Sequence, residues 1–123
     1  VKNYLNVPSD MFVVTEKMYN EKKDLLRRFL SAYKDCTQWM IDSPKEAAKI
    51  AKKRSINGRN EAVNLEIIKI RNISSVSKTT RMRGLGHFDL DLLQKGAKTF
   101  KELGLINKNI DITNVVKSDL IPK

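Results

Sequence analysis

The densest cluster of chemically capable residues lies at 81–89, RMRGLGHFD: two arginines, two glycines, the only histidine and an aspartate. Three chemistries compete for such a stretch: a phosphate cradle, part of a metal site, or a hinge between helices. Gly84 and Gly86 match only the start of a dinucleotide fingerprint. Asp89 stands where the third glycine belongs, and a carboxylate at a helix N-terminus repels a pyrophosphate. No Gly-Lys-Ser/Thr follows a glycine at the spacing of a Walker loop.

For a metal, His87, Asp89 and Asp91 make a thin ligand set. Both aspartates already have a reason to be there, because negative charge is favoured in the first turn of a helix. Cys36 is the single cysteine, which excludes an internal disulfide and any site needing several thiolates. It shares a helical spacing with Phe29, Tyr33 and Met40, so burial among them is the expectation, as is a core role for these aromatics. Nothing in this inventory assembles a nucleophile with a base. The expectation is a non-enzymatic protein with no catalytic residues, no metal site and no cofactor.

The elements that carry these residues read as mainly α, about four helices plus one short strand. Residues 11–15, MFVVT, follow Pro8-Ser9-Asp10 and are rich in β-formers. One strand cannot satisfy its own backbone, so this one needs a partner from a missing part of the protein or from a second copy. The spacing predicts a helix over 21–42, with Leu26, Phe29, Tyr33, Cys36 and Met40 inward and Leu25, Ala32 and Trp39 widening the apolar face. Pro44 ends it and opens another over 44–54, with Ser43 and Glu46 as an expected capping box. Its small face is Ala47, Ala48 and Ala51; its other face holds Lys45, Lys49, Lys52 and Lys53.

Asn57-Gly58 is a turn signal, and a third helix is expected from about 59 or 60 to 73. Residues 74–87 read as a polar, basic loop. A fourth helix starts near Asp89, carries Leu93, Ala97, Phe100 and Leu103, and stops at Gly104. One helical turn is expected after Asp111. The chain is one domain or one fragment, with 1–20 a crossing strand and hinge-like segment and 21–123 helical.

The net charge of +10 raises the prospect of a nucleic-acid partner. Its distribution argues against one. Residues 1–20 are neutral, the excess is spread over 21–55, 56–83 and 84–123, and acidic residues interleave throughout. No nucleic acid is favoured. A small basic helical domain binding nucleic acid or an acidic protein stands as the alternative function.

Five short motifs occur in order: Val13–Lys17 (VVTEK), Arg28–Tyr33 (RFLSAY), Pro44–Ala48 (PKEAA), Gly86–Leu93 with Ala97, and Glu102–Ile106 (ELGLI). Together they resemble the C-terminal portion of a solute-binding protein of ABC importers, of the type serving nitrate, sulfonate, taurine and thiamine-precursor pyrimidine uptake. The resemblance implies a two-lobe α/β fold of the periplasmic-binding-protein kind (type II), of which this would be the C-terminal part. It implies a small solute held between lobes, an ABC permease as partner, and a periplasmic or extracellular, membrane-associated location. The strand at 11–15 would be the crossing near the hinge. Tyr4, Asn6 and Ser9, just before it, are the positions implied to face a ligand cleft. A chain of this length is expected to be one part of that assembly.

Overall fold

The computed structural model describes residues 10–56 and 60–122. Seven helices are present among them: α1 (Glu16–Glu21), α2 (Lys23–Asp42), α3 (Pro44–Arg54), α4 (Glu61–Ser75), α5 (Lys78–Arg83), α6 (Leu90–Glu102) and α7 (Ile112–Val115). The described residues contain no strand. Residues 11–14 make no ladder, and Val13 is 88% exposed. The strand expected at 11–15 is therefore not formed: β-propensity cannot act without a neighbouring strand to pair with.

Instead, the end of that stretch starts a helix. The Thr15 hydroxyl accepts from the Met18 amide at 3.1 Å, and Glu16 occupies the first turn. Lys22 breaks the path, and α2 follows at once. At the far end of α2 the residue before Pro44 must do two jobs. The Ser43 amide bonds to the Trp39 carbonyl at 2.8 Å, closing α2. Its backbone then stands at φ −130°, ψ 58°, and its side chain makes no cap bond, so the expected capping box with Glu46 is absent. Glu46 pairs with Lys49 at 2.8 Å instead. Pro44 does open α3, as its fixed φ and missing amide favour.

Proline has a second consequence. Met40 O would ordinarily accept from the amide four residues on, and Pro44 has none. The Asn72 side chain of α4 donates to that carbonyl at 3.0 Å, tying α4 to the end of α2. The other end of the same amide, Asn72 Oδ1, is buried without a hydrogen-bond partner. Replacing Asn72 with leucine strips the donor from Met40 O and also removes the orphaned acceptor. These effects oppose one another, and a net loss of about 1 kcal/mol is expected in urea denaturation. A gain in stability would show that the orphan costs more than the bond contributes.

The main core lies where α3 packs on α4. Ala48 is fully buried there, beside Ala47 and Ile68, with Met40 and Leu65 partly buried against them. Two alanines on one face allow the close approach expected of that helix. α4 begins one residue later than the latest start expected from the sequence, with Asn60 capping the Val63 amide at 2.8 Å. It also runs further, to Ser75, and the hydroxyls of Ser74 and Ser75 bond back to the carbonyls of Ile70 and Arg71 at 3.0 and 2.8 Å.

Residues 78–83, expected in a loop, form α5. Its start is a reciprocal cap: Ser77 Oγ accepts from the Thr80 amide at 3.1 Å, and the Ser77 amide donates to Thr80 Oγ1 at 2.8 Å. Threonine supplies the acceptor where glutamate or glutamine is the usual signal. α6 is capped by Asp89, which accepts from the Leu92 amide at 3.0 Å, and Gly104 at φ 71° ends the helical path. The Gln94 side chain then brackets α7, donating to Ile110 O at 2.9 Å and accepting from the Ile112 amide at 3.0 Å. Asp111 caps α7 through the Thr113 amide and hydroxyl at 2.9 and 2.6 Å. Those donors hold the Asp111 carboxyl below its ordinary value.

Candidate functional site

Tyr4, Asn6 and Ser9 lie outside the described residues. The described chain begins at Asp10, whose carboxylate sits 3.5 Å from Arg71 of α4. Next comes Phe12. Its ring meets Phe29 edge-on with centroids 5.2 Å apart and Tyr33 edge-on at 4.7 Å, so residues 11–14 lie along one flank of α2. Edge-to-face geometry sets the positive rim of one ring against the negative face of the next.

This aromatic cluster is not a core. Phe12, Phe29 and Tyr33 are each about half exposed, and Trp39 is 44% exposed. Cys36 is exposed as well. The expectation that Phe29, Tyr33 and Cys36 point inward with Leu26 is thus corrected: of the residues of α2 only Leu26 is buried. Periodicity correctly marked the apolar residues but could not say whether anything covers them. A contiguous exposed apolar surface of this kind marks a place where another surface docks.

Where α1 meets α2 the C-terminal tail is fastened to both helices. The Tyr19 hydroxyl donates to Asp119 Oδ1 at 2.8 Å, while Lys23 Nζ donates to Asp119 Oδ2 and to the Tyr19 oxygen, both at 3.2 Å. The ammonium also lies 4.4 Å from the Tyr19 ring centroid. The Tyr19 bond is the main cause that lowers the Asp119 pKa, and Lys23 adds to it. Lys23 is correspondingly raised, first by Tyr19 and then by Asp119.

The sign of the pH effect follows. A carboxylate whose folded pKa is depressed contributes stability that is present above its unfolded value, about 3.9, and is lost as pH falls through the folded value. Amides around Leu120, the buried residue next to Asp119, should therefore lose hydrogen-exchange protection below about pH 4. Asp119→Asn should show the weaker protection already at neutral pH and little further change on acidification. Equal acid sensitivity in both proteins would assign the effect to another carboxylate.

The stretch at 81–89 resolves into a connection between α5 and α6. Gly84 and Gly86 adopt φ 98° and 89°, conformations that a side chain would strain. His87 Nδ1 lies 3.1 Å from Gly84 O, which orients the ring back onto its own loop. Among the described residues no three of His, Cys, Asp and Glu are grouped to hold a metal ion. His87→Ala is expected to leave the metal content of the purified protein unchanged, as read by elemental analysis. Loss of a stoichiometric metal would contradict this.

A shallow groove of about 480 Å³ lies between α3 and α4, floored by Ala51, Ile67 and Ile68, with Asn64 and Arg54 on its walls. Among the described residues Arg54 is its one charged lining residue. Two surface features stand out among the described residues: the exposed aromatic surface on α2 and the charged fastening beside it. Sequence reading missed the fastening altogether, since nothing local links Tyr19 to a residue 100 positions away.

Residues 1–47 match the family model described as NMT1/THI5-like. This is the substrate-binding family of the nitrate, sulfonate and thiamine-precursor type that the five motifs resemble. Among curated proteins and among solved structures, nothing matches the chain. The matched residues include Val13–Lys17, Arg28–Tyr33 and all but the last residue of Pro44–Ala48; the two motifs from Gly86 onward lie outside them. The match coincides with the 10–14 segment, α1, α2 and the start of α3, and so with the exposed aromatic surface. Among the described residues no helix is long and apolar enough to cross a membrane.

Proposed function

We propose that this chain is a C-terminal segment of the solute-binding component of an ABC importer, non-enzymatic, acting at the cell surface or in the periplasm. The family match over residues 1–47 carries the reading. The solute is of the nitrate, sulfonate, taurine or thiamine-precursor class, and the permease of the importer is the macromolecular partner. Tyr4, Asn6 and Ser9 are the proposed ligand-facing positions.

Antibodies raised against the chain test this in fractionated cells of the source organism. The expected product is substantially heavier than 14.1 kDa and lies in the periplasmic or surface fraction. A 14.1 kDa product confined to the cytosol would overturn the proposal.

A further inference from the structure

The outward side of α2 has an order of its own. Leu25, Phe29, Ala32, Cys36 and Trp39 follow one another at steps of four, three, four and three residues, the spacing of a coiled-coil seam. All five are exposed, at 44–50% for the three large ones. The buried residue of the same helix, Leu26, lies about 100° round from Leu25, and on that flank Phe12 rests edge-on against Phe29. A seam running most of the length of a 20-residue helix is suited to receive one other helix.

We infer that the occupant is α2 of a second copy of this chain, packed antiparallel. Side-chain size and charge both select that arrangement. With the two-fold axis passing between residues 30 and 31, each Phe29 lies across from the small Ala32 of the other copy, and each Leu25 across from Cys36. Large therefore meets small in every central layer. Along the solvent edge of the seam stand Arg28 and Asp35, and the same register brings each Arg28 to the Asp35 of the second copy. An isologous interface makes that pair twice. A parallel pairing instead sets Arg28 and Asp35 against Tyr33 and Met40, leaving both charges facing apolar groups.

Arg28 now pairs with Asp24 of its own helix at 3.1 Å, an exposed contact that is readily exchanged. At the two ends Asp42 meets one like charge, Glu21, and one opposite charge, Lys22, so the central pair sets the register. The net charge of +10 opposes self-association, but at about 0.15 M salt the screening length is about 8 Å and only charges near the seam are felt strongly. This inference does not depend on the transport reading.

The test is light scattering of the 123-residue chain over a concentration series at that salt, with Trp39 emission followed in parallel. The mass should rise from 14.1 kDa toward twice that value, with a blue shift as the indole is covered. Arg28→Asp and Asp35→Arg should each weaken the dimer by about tenfold, and the double exchange should restore it to within about threefold. Ala32→Glu, at an exposed position, should abolish it while circular dichroism stays unchanged. A monomer at every concentration would show that the seam is covered by something else and would sink the proposal. So would a dimer indifferent to Ala32→Glu. Copper–phenanthroline oxidation reads the orientation: antiparallel packing holds the two Cys36 residues about 16 Å apart along the axis, so rapid Cys36–Cys36 crosslinking would contradict it.

Discussion

Shortening Ile68 to alanine is expected to lower the unfolding free energy by about 2–5 kcal/mol, the range for removing a buried branched side chain and leaving part of its cavity unfilled. Ile68 is 7% exposed and stands against Ala47 and Ala48, where α3 and α4 meet. Few large side chains are buried in the described residues, so the neighbours have little to collapse with. A loss of that size approaches the whole stability of a small domain, about 5–15 kcal/mol. The converse change probes the same space from the other side. Ala48 has no exposed surface, and Ala48→Leu should cost about 1–3 kcal/mol by overpacking. Combining the two moves volume across the interface, and the double variant should be more stable than the sum of the single losses predicts by about 1 kcal/mol or more. Strict additivity in urea denaturation would show that these residues do not share one cavity.

The second large effect belongs to the C-terminal part. Leu93 is the most buried large residue of α6, and Leu93→Ala is likewise expected to cost about 2–5 kcal/mol. Its consequences should be local in a different place. Among helix pairs, α6 packs on α7, while α3 and α4 form the main core. The tail fastening at Asp119 is the polar link from that part to α1 and α2. Hydrogen exchange should therefore show α6 and α7 losing protection before α3 and α4. Leu93→Ala and Ile68→Ala should combine to within about 0.5 kcal/mol of their sum. Uniform loss of protection along the chain would mean a single cooperative core instead.

Features set by a residue's own neighbours were legible in the sequence. Pro44 opens α3, Asp89 and Asp111 cap the helices that follow them, and Gly104 ends α6, because a cap or a stop is decided within one helical turn. Features needing distant knowledge were not. MFVVT has strand composition, yet no strand stands beside it. Phe29, Tyr33, Cys36 and Trp39 have core spacing, yet they face outward, because periodicity reports which side is apolar and not what covers it. Ser43 illustrates a subtler limit. Its sequence context suits an N-cap, but it also closes the preceding helix, and one backbone conformation cannot serve both. The Thr80 cap was overlooked because threonine is a rarer third-position acceptor than glutamate. The candidate ligand positions Tyr4, Asn6 and Ser9 rest on the resemblance alone, and the charged knot of Tyr19, Lys23 and Asp119 had no local signal at all.

Solute binding is the activity on which the transport role depends. Titration calorimetry of the protein purified from its own source tests it most directly, with nitrate, taurine and a hydroxymethylpyrimidine each added in turn. A saturable one-to-one isotherm with at least one of the three is the predicted result. No saturable binding to any of them, from a protein whose circular dichroism shows it folded, would contradict the solute-binding role.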